Sequence, residues 1–297
     1  MAADLTPHLP TERTAPRPRR RALAWLQLSP AAAYFAALFI GPLAILAVYS
    51  VFRFEDYQFI PAFSLENYSE VLTSGLYLPY LVRTVEVSLI VSVIVLALAY
   101  PFAYALTFVF PRRRHALYFL VLVSLFGGYL VRIYAWRTML GREGLINDGL
   151  MGAGLIHHPL EFFLNSKVAI VITLVNFYLP LGVLPIYSAM QNVPSRLIDA
   201  AHDLGSGRWH ATRRVLLPMT MQGVTAAFAF TFIASAAEWV TPLLVGGAGD
   251  QFIGNQIQRE FGVELNWPLG AALAMTLIVS SLLVVAIVLA VVRRWTR

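Results

Sequence analysis

Apolar runs of about twenty or more residues recur from Trp25 to Val292, each almost free of charge. A helix of about 20 residues is what it takes to cross the roughly 30 Å of hydrocarbon in a bilayer. The composition agrees, since 58% of the 297 residues are hydrophobic and 13% are charged, against roughly a quarter charged in a soluble domain. Mean hydropathy is +0.67. The chain therefore reads as an all-α, polytopic membrane protein.

Six spans are expected: Trp25–Phe52, Val85–Phe110, Ala116–Leu140, Val168–Met190, Met219–Val245 and Leu269–Val292. Residues 1–24 form a basic tail with Arg13, Arg17, Arg19, Arg20 and Arg21 interleaved with Pro16 and Pro18, expected to be disordered. The run after it is too long for the core of a signal peptide and no small-residue cleavage site closes it, so a retained helix is expected. Residues 25–297 then form one transmembrane domain.

The net charge of +6 does not point to nucleic acid, because the basic residues sit at the ends of apolar runs. They are topology signals. One set of connections holds the basic tail, Arg112, Arg113 and Arg114, the stretch with Arg196, Arg208, Arg213 and Arg214, and the terminal Arg293, Arg294 and Arg297. The other set holds most of the acids, including Glu55, Asp56, Glu66, Glu70, Glu143, Asp148, Glu161, Asp250, Glu260 and Glu264. The positive-inside rule places the first set, with both termini, in the cytoplasm.

Several spans hold helix breakers: Pro42 in the first, Pro101 in the second, Gly127 and Gly128 in the third, Pro180 and Pro185 in the fourth, Pro242 in the fifth. Helix packing alone accommodates such residues. Backbone bent around a water-filled cavity also uses them. The fourth and fifth spans, with breakers near their outer ends, are the better cavity candidates.

The connection from Gln191 to Pro218 is polar, charged and helix-forming, and on the cytoplasmic side it is exposed to a soluble partner. Pro194 and Ser195 suit a helix start, giving a helix over Ser195–Leu204 with Arg196 and Asp199 able to pair on its surface. Gly205 suits a stop that needs positive φ. Ser206 is the expected cap of a second short helix through Trp209 and Val215, which Pro218 ends. An amphipathic interfacial linker would share some of these features.

Asp199-Ala200-Ala201, Gly205, Val215 and Leu217-Pro218 resemble the "EAA" loop of type I ABC-importer permeases, with the spacing kept and Asp for Glu and Val for Ile. The stretch with Glu238 and Pro242, Leu244-Val245-Gly246-Gly247, and Asn266-Trp267-Pro268 with Gly270-Ala271 resembles the spermidine/putrescine branch, in particular its first permease subunit. The resemblance implies a six-helix permease in a bacterial inner membrane, coupled through Asp199, Ala200, Ala201, Gly205, Val215, Leu217 and Pro218 to an ATPase. It implies a second permease subunit, two copies of an ATP-binding subunit and an external substrate-binding protein, besides the surrounding lipid. Permeases for ferric iron, opines or other small cations share much of the pattern.

A charged side chain within a span is a functional hypothesis by default. Glu238, in the outer half of the fifth span beside Trp239, suits an alkylammonium ion through charge and cation–π attraction. Neutralisation by Arg132 or Arg137 of the third span is the competing reading. Tyr134 and Trp136 flank those arginines as an interfacial aromatic belt would, and Asn176 and Tyr178 precede Pro180. Glu238, Trp239, Tyr134, Trp136, Asn176 and Tyr178 are thus the candidate path.

Catalysis has little support. There are no cysteines. His157, His158 and Glu161 surround Pro159 in an external loop and lack the helical His-x-x-x-His spacing of a metal site. Gly149, Gly152 and Gly154 follow no strand. No P-loop is present, so no cofactor is expected on this chain, and ATP with Mg belongs to a separate subunit. An ion-gradient-driven carrier is the rival from another class. It would predict inverted repeats, and none is visible.

Overall fold

The computed structural model describes residues 29–30, 32–55, 58–160, 163–203 and 205–295. The basic tail at 1–24 and the beginning of the first span lie outside them, as do Asp56 and Glu161. The chain divides into two units, Met1–Val48 and Tyr49–Arg297. The first carries nearly all of helix α1, Ala32–Tyr49. Gly41 N–H reaches back to Ala36 O in a π turn over Ala36–Ile40, which shifts the hydrogen-bond ladder next to Pro42.

The second unit opens with an antiparallel hairpin, β1 at Arg53–Glu55 and β2 at Gln58–Ile60, with Phe54 opposite Phe59. Helix α2 spans Glu66–Thr73. Helix α3 spans Leu78–Tyr104 and continues through a π turn to Val109. Helices α4, Arg114–Leu125, and α5, Tyr129–Leu140, come next. They are followed by α6, Leu145–Gly152, and α7, Lys167–Gln191. Short helices α8, Ser195–Asp203, and α9, Arg208–Ala211, lead into α10, Leu217–Ala236. Helices α11, Val240–Val245, α12, Ile253–Gly262, and α13, Trp267–Trp295, complete the chain.

Five helices are long and apolar enough to cross a membrane, and α4 with the segment after it makes a sixth if the bent pair is one span. The all-α, polytopic expectation therefore holds. The third span is corrected, because Ala116–Leu140 is two helices meeting at 92°, not one rod. Gly127 and Gly128 lie in the break, where helical hydrogen bonding lapses after Phe126. The fifth span is shifted rather than shortened, running from Trp209 to Ala236 instead of Met219 to Val245. The fourth span lies where it was expected, at Lys167–Gln191. Helix α7 runs unbroken through Pro180 and Pro185, held on both sides by α3 and α10, as neighbours commonly steady proline in a span.

Helices α3, α7 and α10 pack together as the centre of the unit. One cluster joins Val87, Val91, Val95, Ile170 and Leu174; another joins Ala99, Leu106, Ile186, Met190 and Leu216. Between helices in lipid, small residues let backbones approach closely. Gly223 of α10 is such a place, since an added Cβ would lie 2.5 Å from Ala189 Cβ and 2.6 Å from Pro185 O of α7.

Candidate functional site

Pro242 explains where the fifth span stops. A proline ring inside a helix clashes with the carbonyl four residues back, and that residue is Glu238. Helix α10 ends one turn tighter, with Glu238 N–H donating to Ser235 O at 3.2 Å. Trp239 then takes φ −138° and α11 restarts at Val240. Glu238 and Trp239 thus occupy an irregular break, not the helix expected of them.

Glu238 is 6% exposed. Tyr178 Oη of α7 donates to its Oε1 at 2.7 Å, and Tyr129 Oη of α5 to its Oε2 at 2.6 Å. Thr241 Oγ1 lies 3.3 Å from Oε2. Tyr178 Oη is also 3.0 Å from Ala234 O. Among the described residues no lysine or arginine pairs with Glu238. The competing reading, neutralisation by Arg132 or Arg137, is therefore not what these contacts show. Arg132 sits over the Phe177 ring, 5.3 Å from its centroid, a cation–π placement, and three hydroxyls take the carboxylate instead.

The N-terminus of α12 steadies the break from the other side. Asn255 Oδ1 accepts from Phe252 N–H at 2.9 Å while its Nδ2 donates to Trp239 O at 2.7 Å. Ile253 N–H donates to Thr84 Oγ1 of α3 at 2.9 Å. Gly254 lies against this backbone, and an added Cβ would be 3.0 Å from Glu238 O. Farther along α12, Glu260 is buried and accepts from Tyr77 Oη at 3.2 Å.

Of the six candidate path residues, Glu238 and Tyr178 touch directly. Trp239 adjoins them and stays 39% exposed. Trp136 Nε1 donates to Asn176 Oδ1 at 3.2 Å, a second polar pair across α5 and α7. Tyr134 is 52% exposed and no contact joins it to Glu238 among the described residues. Sequence reasoning missed Tyr129, Thr241 and Asn255 as participants. Only Tyr129 carried a signal, as the first residue after the Gly127-Gly128 break.

The loop of Gln191–Pro218 forms two short helices. Gly205 adopts φ +81°, and Ser206 N–H reaches Ala201 O at 3.0 Å, which is the Schellman ending of α8. Gly207, not Ser206, is the residue before α9, and its carbonyl accepts from Ala211 N–H at 3.0 Å. Asp199 and Ala200 are exposed and Ala201 is half-buried. Val193 and Leu216 are buried among Leu106, Tyr187 and Met190, rooting the loop on α3 and α7.

Pro218 does not end the second helix. Leu217 N–H bonds back to Thr212 O across a π turn over Thr212–Leu216, and the helix continues from Trp209 to Ala236 over 28 residues. Proline is tolerated because it falls in the first turn after that shift, where a helical amide partner is already lacking. Val215 lies within this turn and Leu217 follows it, both half-buried.

Comparison with known proteins places these features in context. The family described as "Binding-protein-dependent transport system inner membrane component" matches residues 22–297. The spermidine/putrescine transport system permease protein PotB of Haemophilus influenzae is 34% identical over 240 residues, covering 81% of this chain and 83% of that protein. The protein of the same name from Escherichia coli is 33% identical, covering 75% of this chain and 81% of its own. The inner membrane ABC transporter permease protein YdcU of Escherichia coli is 27% identical, covering 88% and 86%. Among solved structures, a chain of a bacterial ABC transporter involved in import of the acidic polysaccharide alginate superposes with TM-score 0.74 at 16% identity, covering 94% of this chain and 98% of that one. At that identity it speaks for the fold alone.

Proposed function

This chain belongs to the family of binding-protein-dependent transport system inner membrane components, and on that premise we propose that it lines half of the path by which an ATP-driven importer takes up a polyamine. It is a permease component of an ABC importer in the inner membrane, which sets aside the ion-gradient carrier. The observation that carries the polyamine reading is Glu238, a buried acid in a span break with hydroxyl partners and, among the described residues, no cation. An alkylammonium group supplies the missing positive charge, and the adjoining Trp239 ring offers a face for it. The names of the PotB relatives support the same substrate class.

Coupling follows from the continuous helix. In our reading the basic connections and both termini face the cytoplasm, and α8 is gripped there by one of two ATP-binding subunits, which use ATP and Mg. Asp199, Ala200 and Ala201 form the gripped surface, and Gly205 sets its angle. Val215, Leu217 and Pro218 carry the movement into the helix that ends beside Glu238. At 28 residues that helix is about 40 Å long, so a tilt at its root displaces the break. A second permease subunit completes the path, and the substrate-binding protein delivers solute from outside.

The test is uptake of labelled spermidine and putrescine by vesicles carrying the assembled importer, with Glu238→Gln beside the unaltered chain and ATP hydrolysis followed in parallel. Losing the charge is expected to raise the concentration for half-maximal uptake roughly tenfold or more. Unchanged kinetics for both amines would remove Glu238 from the path.

A further inference from the structure

A groove of about 960 Å³ lies between the end of α3 and the root of the α9–α10 helix. Ala97, Tyr100, Pro101, Tyr104, Phe108 and Val109 form one wall, and Trp209, Thr212, Arg213 and Leu217 the other. None of these residues takes part in the Glu238 site. We propose that the groove binds one anionic phospholipid, with its headgroup on Arg213 and an acyl chain along the α3 wall.

Depth is the first argument. Both walls belong to helices long and apolar enough to cross a membrane. From Ala97 to Val109 the wall is about 18 Å long by helical rise, close to the half-thickness of a roughly 30 Å hydrocarbon layer. The groove thus runs through one leaflet, a depth a soluble subunit does not reach.

Chemistry is the second. The wall is apolar and aromatic: Tyr104 and Phe108 lie one turn apart with ring centroids at 5.2 Å. Trp209, 76% exposed, and the exposed Arg213 sit at the opposite end from Ala97. An indole and a guanidinium at the end of a span are what the headgroup level of a membrane selects. Basic pockets between membrane helices on the cytoplasmic side bind acidic headgroups. Arg214 adjoins Arg213, and Arg112, Arg113 and Arg114 follow the α3 wall within a few residues, so the surroundings repel cations. That charge disfavours the chain's own arginine-rich tail as the occupant.

Such a lipid would bear on coupling, because Trp209, Thr212 and Arg213 belong to the segment between α8 and α10. The proposal needs only that the chain spans the membrane, so it stands or falls apart from the polyamine reading.

The experiment is native mass spectrometry of the assembled importer extracted from vesicles of equal phosphatidylglycerol and phosphatidylethanolamine. The unaltered chain is expected to retain phosphatidylglycerol in preference. Arg213→Gln should weaken that retention about fivefold, the effect of one arginine at an anionic surface. Ala97→Phe, which fills the exposed deep end of the groove, should reduce retention of either lipid, and serves as the second variant should the first assemble poorly. Equal retention by the unaltered chain and both variants would overturn the proposal. So would a photo-crosslinker at position 97 that captured the basic tail or a partner subunit's helix instead of lipid.

Discussion

Tyr129 Oη donates to Glu238 Oε2 at 2.6 Å, joining the first turn of α5 to the break between α10 and α11. The contact ties two irregular places of the molecule together. One is the bend after α4 and the other is the interruption caused by Pro242. A carboxylate at this point holds the start of α5 and the end of α10 together, and anything that replaces the tyrosine as its partner loosens that tie.

Removing one donor should therefore be felt in stability before substrate is added. Tyr129→Phe and Tyr178→Phe each leave a buried carboxylate short of a partner, at a cost of about 1–3 kcal/mol. Thermal unfolding of the purified complex should fall for both variants. Tyr178→Phe should cost more, because its hydroxyl also lies against Ala234 O.

Asn255 gives a second, independent prediction. Its side chain is the only one described that bonds both Phe252 N–H and Trp239 O. Asn255→Ala should free the α12 N-terminus from the break, and hydrogen exchange of backbone amides over 239–256 should quicken relative to those of α7. Unchanged exchange there would mean that the Ile253–Thr84 hydrogen bond and the packing of Gly254 hold the segment without Asn255.

Much of the coupling loop could be read from local rules. Gly205 stands where a helix ending needs positive φ, and that requirement depends on near neighbours only. The Glu238 site was less legible, because its partners Tyr129 and Tyr178 lie 109 and 60 residues away in sequence. Arginine looked the natural partner by charge, but Arg132 found Phe177 across the bundle. The break at Glu238 was readable in principle, since a proline ring excludes the carbonyl four residues before it. The continuation of helix through Pro218 was not, because it passes through a π turn over Thr212–Leu216 that no local pattern announces.

Gly205→Val tests the loop itself. A β-branched residue at φ +81° is strained by roughly 1–2 kcal/mol, so the Schellman ending should loosen and α8 should lose its fixed angle to α9. ATP hydrolysis by the assembled importer is expected to respond less to loaded binding protein, while α3, α7 and α10 keep their thermal stability.

Helix α12 carries a pH dependence of its own. Burial pushes the Glu260 carboxyl above the ordinary range, helped by repulsion from Glu264 and Glu70 and opposed by the Tyr77 hydrogen bond and by Arg259. The folded chain thus holds this proton more tightly than the unfolded chain. Stability from the group is fully present below the ordinary glutamate range and is lost as pH rises through the raised folded value. Glu260→Gln should flatten that loss, which hydrogen exchange of the α12 amides from weakly acidic to neutral pH would register.

Direct observation of the bound substrate tests the central claim best. In a structure of the assembled importer trapped with spermidine, an amine nitrogen is expected within about 4 Å of the Glu238 carboxylate, the distance of an ion pair, with Tyr129 displaced or sharing the site. Spermidine bound elsewhere in the path, with Glu238 still held by Tyr129 and Tyr178, would contradict the account.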